Sequence, residues 1–125
     1  MVLPSARSDF VELAESDRAV ALAALALAKE LRENPWFGDE MRSRLGLAEL
    51  HECRRIRFDR SDWKDKPRYR LIYRNEPSDG APEIVAVLAA AERENLGAYR
   101  RAKPRLIERL RALGEQGWGP SAGEC

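Results

Sequence analysis

The sequence predicts an α+β fold built on a small antiparallel sheet, and three observations carry that expectation. An alanine-rich apolar stripe at helical spacing lies between Asp17 and Arg32. Two arginine-rich stretches then alternate apolar and charged residues with a period of two, and a nearly continuous apolar run follows them. A chain of 125 residues with 44% hydrophobic content is long enough for one core and short for a second. It reads as one domain over 1–125, with an ordered core over 8–113 and a loose tail over 114–125.

In chain order, Asp9 to Leu13 reads as a short edge strand. Ser16 or Asp17 then caps a helix running to about Arg32, where Asn34-Pro35 stops it. Val20, Ala24, Leu27 and Leu31 form its apolar stripe, and the alanines around them let a second element lie close. A short second helix is expected from Asp39 to about Leu45, ending at Gly46.

From Glu52 to Asp59, Ile56 and Phe58 alternate with Arg55 and Arg57. Tyr69, Leu71 and Tyr73 alternate in the same way with Arg68, Arg70 and Arg74, although Ile72 interrupts the polar face. The polar segment Asp59 to Pro67 would join the two strands as an antiparallel hairpin with a long loop. After the turn-like Pro77-Ser78-Asp79-Gly80, the apolar run Glu83 to Ala90 suits a strand covered on both faces. Leu96, Tyr99, Leu106, Leu110 and Leu113 mark one stripe of a helical segment from about Glu94 to Leu113. Pro104 deletes the hydrogen bond to the Arg100 carbonyl, so a kink or two angled helices are expected there.

The formal charge is only +1, yet it is unevenly spread: 6 basic and 9 acidic residues fall in 1–50, 16 and 10 in 51–113, and 0 and 2 in 114–125. A basic middle suggests a polyanion, or an acidic protein that masks it. Cys53 and Cys125 make no disulfide framework, and no Cys/His cluster offers a metal site, so a reducing cytoplasm and no metal or cofactor are expected. The apolar run Ala19 to Ala28 is too short to span a bilayer and has acidic flanks, against a membrane location.

The stretch Cys53 to Arg74 holds seven arginines. Alternation puts Arg55 and Arg57 on one strand face, and Arg70 and Arg74 share a face of the next. Guanidiniums hold phosphate oxygens through paired hydrogen bonds and stay charged at any working pH. The plainer reading is a solvated face whose arginines pair with Asp59, Asp62, Asp65 and nearby glutamates. Arg93 and Tyr99 favour the first, because an aromatic ring beside basic groups can stack on a base while arginine holds a phosphate.

The segments "LAKELRENP", "CRRIRF", "RYRLIYR" and "IVAVLAAAERENLGAYRRA" resemble, in order and spacing, the RelE/ParE superfamily of toxins from bacterial toxin-antitoxin pairs, over about Asp9 to Leu110. The resemblance to the RelE-like branch implies a twisted antiparallel sheet with two N-terminal helices on one face and a C-terminal helix. It implies a metal-independent endoribonuclease that cuts mRNA in the ribosomal A site and is held in check by an antitoxin. The partners expected from it are a cognate antitoxin, the ribosome and mRNA, with no membrane and no small-molecule cofactor. The family's catalytic positions fall on Arg55, Arg57, Arg70, Arg93 and Tyr99. Arg54, Arg68, Arg74, Arg100 and Trp63 are the further candidates for RNA binding. Arginines stand at 55 and 57 where the nuclease often has lysines, and the long loop and Pro104 are further departures. A gyrase-inhibiting ParE-like toxin, or an inactive relative that binds RNA or an antitoxin, is the alternative.

Attack of a 2′-hydroxyl on phosphorus needs proton removal, charge stabilisation and help for the leaving oxygen. Arginines, with pKa above about 12, suit the middle task and are poor bases. Tyr99 is the candidate for proton transfer or for stacking on a base, and neighbouring cations would lower its pKa from about 10. The only histidine, His51, lies four strand positions from Arg55, about 13 Å away and too far to share one phosphate. Cys53 reads as a packed side chain and Trp36 as a core residue; Trp63 in the polar loop is open, and Trp118 carries no signal.

Overall fold

The computed structural model describes residues 1–41 and 53–115. Helix α1 spans Pro4–Ser16 and α2 spans Arg18–Glu33. Strands follow at Asp39–Glu40 (β1), Arg54–Phe58 (β2), Tyr69–Glu76 (β3) and Ile84–Glu92 (β4). A single 3-10 turn at Glu94–Leu96 then leads into α3, Gly97–Glu115.

The edge strand expected at Asp9 to Leu13 is instead part of α1. Pro4 opens that helix at its first position, where its fixed φ suits a helix and its missing N–H costs nothing. Ala6, Phe10 and Leu13 are buried at spacings of four and three, a helical stripe that a window starting at Asp9 truncates. Asp17 caps α2 as expected, holding extended backbone while its carboxylate accepts from the Ala19 N–H at 3.1 Å. Val20, Ala24 and Leu31 are buried and Leu27 is half-buried, so the predicted stripe faces the core.

The sheet runs β1-β2-β3-β4, antiparallel throughout. The helix expected from Asp39 is a correction: Asp39 and Glu40 form the edge strand, opposite Arg55 and Arg54. Opposite charges across a ladder stabilise that pairing. The remainder of the expected helix, Gly46 and His51 lie outside the described residues.

β2 and β3 form the predicted hairpin, with Phe58 opposite Tyr69, Ile56 opposite Leu71 and Arg57 opposite Arg70. Directly opposed residues share a face, so Ile56, Phe58, Tyr69, Leu71 and Tyr73 line one side, and Arg55, Arg57, Arg70, Ile72 and Arg74 the other. The second side is not a solvated face, because every residue of β3 is buried. Helix α3 covers it: Arg109 donates to Glu76 at 2.7 Å and Tyr99 meets Arg55. Ile72 is therefore a core residue beneath α3, not an interruption of a wet surface. Leu88 is the extra residue at an irregularity in the β3–β4 register, between the Ile72–Ala89 and Tyr73–Val87 pairs.

The outer edge of β4 is closed by the N-terminal segment. Leu3 donates to the Val87 carbonyl at 3.3 Å, Val87 donates to Met1 at 2.9 Å, and the Ala90 N–H donates to the buried Asp9 carboxylate at 3.0 Å. Asp9 also accepts from Arg101 at 2.8 Å and from both terminal nitrogens of Arg105 at 2.7 and 3.0 Å. These two arginines flank Pro104. The double tether spans the missing hydrogen bond, and α3 runs through Pro104 as one helix rather than two. Leu110 leaves the predicted stripe, 41% exposed, while Ala98, Tyr99, Ala102, Leu106 and Leu113 face inward. The chain's real break comes earlier, at Asn95 and Leu96, with φ of 54° and 59°. No helix among the described residues is long and apolar enough to cross a membrane.

Candidate anion-binding site

The site lies where β2, β3, the end of β4 and the start of α3 meet. Arg57 and Arg70 are directly paired across the hairpin, and Arg55 stands two residues away on the same face of β2. Tyr99 enters from the first turn of α3, and its hydroxyl accepts from Arg55 Nη1 at 3.2 Å. Arg93 follows β4; its N–H donates to the Arg68 carbonyl at 2.8 Å, which extends the β3–β4 ladder to the mouth of the site. Gly97 sits so tightly in this corner that a Cβ there would lie 2.8 Å from the Glu92 carbonyl oxygen.

Arg70 is the deepest of the group at 8% exposed, and its Nη1 donates to the carbonyls of Pro67 and Tyr69 at 3.0 and 2.9 Å. Burial lowers its pKa; Tyr99 opposes that shift, and the charges of Arg57 and Arg93 add to it. The same interactions bring Tyr99, Arg57 and Arg93 each within electrostatic reach of Arg70. Among the described residues, none of Arg55, Arg57, Arg70 and Arg93 forms an ion pair with an acid. Arg55 Nε is buried with no hydrogen-bond partner among the described residues. A buried donor and four cations without an acid partner among the described residues are groups that an anion's oxygens can use.

The second set of predicted residues behaves differently. Arg54 is bound bidentately by Asp79 at 2.8 and 2.7 Å, with Glu40 at 3.3 Å, and the Asp79 hydrogen bonds raise its pKa. Arg74 is 4% exposed and paired with Glu76, which also receives Arg109. Arg68 is fixed on Asp59 at 2.9 and 2.8 Å, and its guanidinium lies 3.6 Å from the centre of the Trp63 ring. One face of Trp63 is therefore taken, and its Nε1–H is spent on the Lys66 carbonyl at 3.1 Å. Arg100 is exposed one residue beyond Tyr99 and makes no ion pair with a described residue. The acid pairing of the plainer reading thus holds for Arg54, Arg68 and Arg74, of which Arg74 is buried rather than solvated; Arg55, Arg57, Arg70 and Arg93 remain the anion candidates.

Cys53 is buried in the core. Trp36, read as a core residue, is 51% exposed and donates to the Asp79 carbonyl at 2.8 Å; its apolar neighbours Pro35 and Phe37 belong to the surface turn after α2.

Comparison with known proteins finds no matching family model, curated protein or solved structure. The site therefore has to be read from its own residues. Three features escaped the sequence: the Asp9 tether, the buried Glu76 between two arginines, and the left-handed turn at Asn95 and Leu96. The tether could have been sensed from Pro4 and the Ala6–Phe10–Leu13 stripe, which place Asp9 on a helix. Nothing local marks a left-handed leucine.

Proposed function

We propose that the chain is a RelE-like toxin: a metal-independent endoribonuclease that cuts mRNA on the ribosome and is restrained by an acidic or amphipathic antitoxin. The single observation that carries this reading is the convergence of Arg55, Arg57, Arg70, Arg93 and Tyr99 with no acid paired to any of the four cations among the described residues. A structural cluster would be neutralised, as Arg54, Arg68 and Arg74 are. The order of elements, with two helices before the sheet and one after, agrees with the arrangement that the RelE/ParE resemblance implies.

In the proposed reaction the 2′-oxygen attacks the adjacent phosphorus. The new P–O2′ bond forms as the P–O5′ bond breaks, leaving a 2′,3′-cyclic phosphate and a 5′-hydroxyl. The 2′-hydroxyl proton must leave and the 5′-oxygen must gain one. Arg57, Arg70 and Arg93 would hold the non-bridging oxygens and take up the charge that grows on them, a role for fixed cations. Arg55 supplies an unused Nε–H and orients the Tyr99 hydroxyl through Nη1. Tyr99 is 7% exposed with its hydroxyl on Arg55, so in this proposal it would exchange a proton rather than stack on a base. Four positive charges also repel a divalent cation from this pocket, in keeping with chemistry that uses side chains alone.

The test is induced expression in a bacterial host. Wild type should arrest growth, and Arg93→Ala and Tyr99→Phe should relieve the arrest while the protein still accumulates in folded form. Arrest that persists in both variants, accompanied by DNA breaks instead of cut messages, would replace the nuclease with the gyrase-inhibiting alternative.

A further inference from the structure

Beside the arginine cluster lies a second cleft of about 650 Å³, walled by Arg68, Glu92, Arg93, Glu94, Asn95 and Leu96. Arg93 belongs to both places. Its charge reaches Arg70, and it lines this cleft. An RNA strand whose phosphate sits among the arginines therefore has an adjoining space into which a neighbouring base fits.

The chemistry of that space differs from that of the phosphate socket. Glu92 and Glu94 are exposed, and neither is engaged by a cation among the described residues. Two exposed carboxylates next to a phosphate site oppose a polyanion and suit a ligand group that donates hydrogen bonds. Carboxylates accept from the exocyclic amino groups of adenine, cytosine and guanine, whereas uracil offers only its N3–H, flanked by two carbonyl oxygens that repel them. The exposed Asn95 adds an amide able to donate and accept.

The walls are also fixed. Arg68 is held by Asp59 and lies over Trp63, so it forms a rigid side rather than a swinging arm. The opposite side is the Asn95–Leu96 turn, in which both residues are left-handed, and such a conformation in leucine persists only where its surroundings impose it.

We infer that this cleft is a base-selecting subsite, taking the nucleobase next to the phosphate held by the arginine cluster and favouring amino-bearing bases over uracil. The inference rests on the nuclease reading and deepens it. Specificity here costs affinity, because the carboxylates that read the base also repel the backbone.

The experiment uses the purified full chain and ribosomes stalled on synthetic messages that differ at single positions around the cut. Cut ends are mapped by primer extension for wild type and for the Glu92→Gln/Glu94→Gln double variant, and circular dichroism checks that the variant is folded. Wild type should disfavour uracil at one fixed position by about tenfold. The double variant should still cut, with that bias reduced to within about twofold. A bias that the variant retains, or no bias in wild type, overturns the subsite and leaves the nuclease reading standing. Loss of all cutting in a folded variant also overturns it, since the carboxylates would then serve the chemistry. Absence of cutting by wild type overturns both readings.

Discussion

Replacing Asp9 with alanine removes the knot that ties α1, β4 and α3 together. Its carboxylate is 1% exposed and accepts from the Ala90 N–H, from Arg101 and twice from Arg105. The substitution leaves a buried amide without a partner and a largely buried guanidinium, 18% exposed, without a counter-charge. Breaking a buried pair from one side costs roughly 3–5 kcal/mol. For a domain of this length that corresponds to a melting temperature lower by roughly 10–25 °C. Glu12 provides the internal control. It is the strongest influence raising the Arg101 pKa, ahead of Asp9, yet its side chain is 58% exposed and water screens the pair. Glu12→Ala should therefore cost no more than about 0.5 kcal/mol. Both variants are measured by urea and thermal unfolding followed by circular dichroism. A loss below about 1 kcal/mol for Asp9→Ala would refute the assignment of the tether.

The Asp59 carboxyl, pulled to about 2 by its hydrogen bonds to the Arg68 side chain, supplies a pH test. Because its folded pKa lies below the ordinary 3.8, its stabilisation is present above that value and is lost as the pH falls towards 2. Arg68 is 41% exposed, so the contribution is at most about 2 kcal/mol; Asp59→Asn should flatten the acid limb of urea-derived stability, and an unchanged acid limb would contradict the pairing. Arg57→Gln removes a cation that stands opposite Arg70 and has no acidic partner among the described residues, so stability should rise by about 0.2–1 kcal/mol while cutting is lost. A clear fall in its urea midpoint would mean that a stabilising partner holds Arg57. Gly97→Ala forces a Cβ to within 2.8 Å of the Glu92 carbonyl oxygen and should destabilise by about 1–3 kcal/mol. It should also weaken cutting by shifting Tyr99, and a neutral result in both assays would show that the corner is loose.

Patterns that repeat along the chain were legible in the sequence. The period of two in β2 and the stripe of α2 reappear in the fold because each buries one face, whereas β3 forms where expected but is covered by α3 on its second face as well. What could not be read was set by contacts distant in sequence. Asp9 looked like a polar residue of a strand because its partners lie 81 to 96 positions away. Asp39 and Glu40 became a strand because arginines on β2 face them, a relation no local window contains. Pro104 did not split α3 because the Asp9 tether bridges it. Parity correctly grouped Arg55, Arg57, Arg70 and Arg74, but it could not tell which of them an acid neutralises. Glu76 sits two positions beyond Arg74 on the same strand face and removes it from the set.

In the proposed reaction a socket of arginines with no acid partner among the described residues, closed by Tyr99, grips one phosphate of a message and cuts beside it. The most direct measurement is primer extension across a reporter message in a translating extract, comparing wild type with Arg93→Ala and Tyr99→Phe. Wild type should give discrete new 5′ ends, and removing the exposed Arg93 cation should lower their yield roughly 100- to 1,000-fold. Intact messages with wild type, or cut ends that form equally fast with the Arg93→Ala chain, would contradict the proposed reaction.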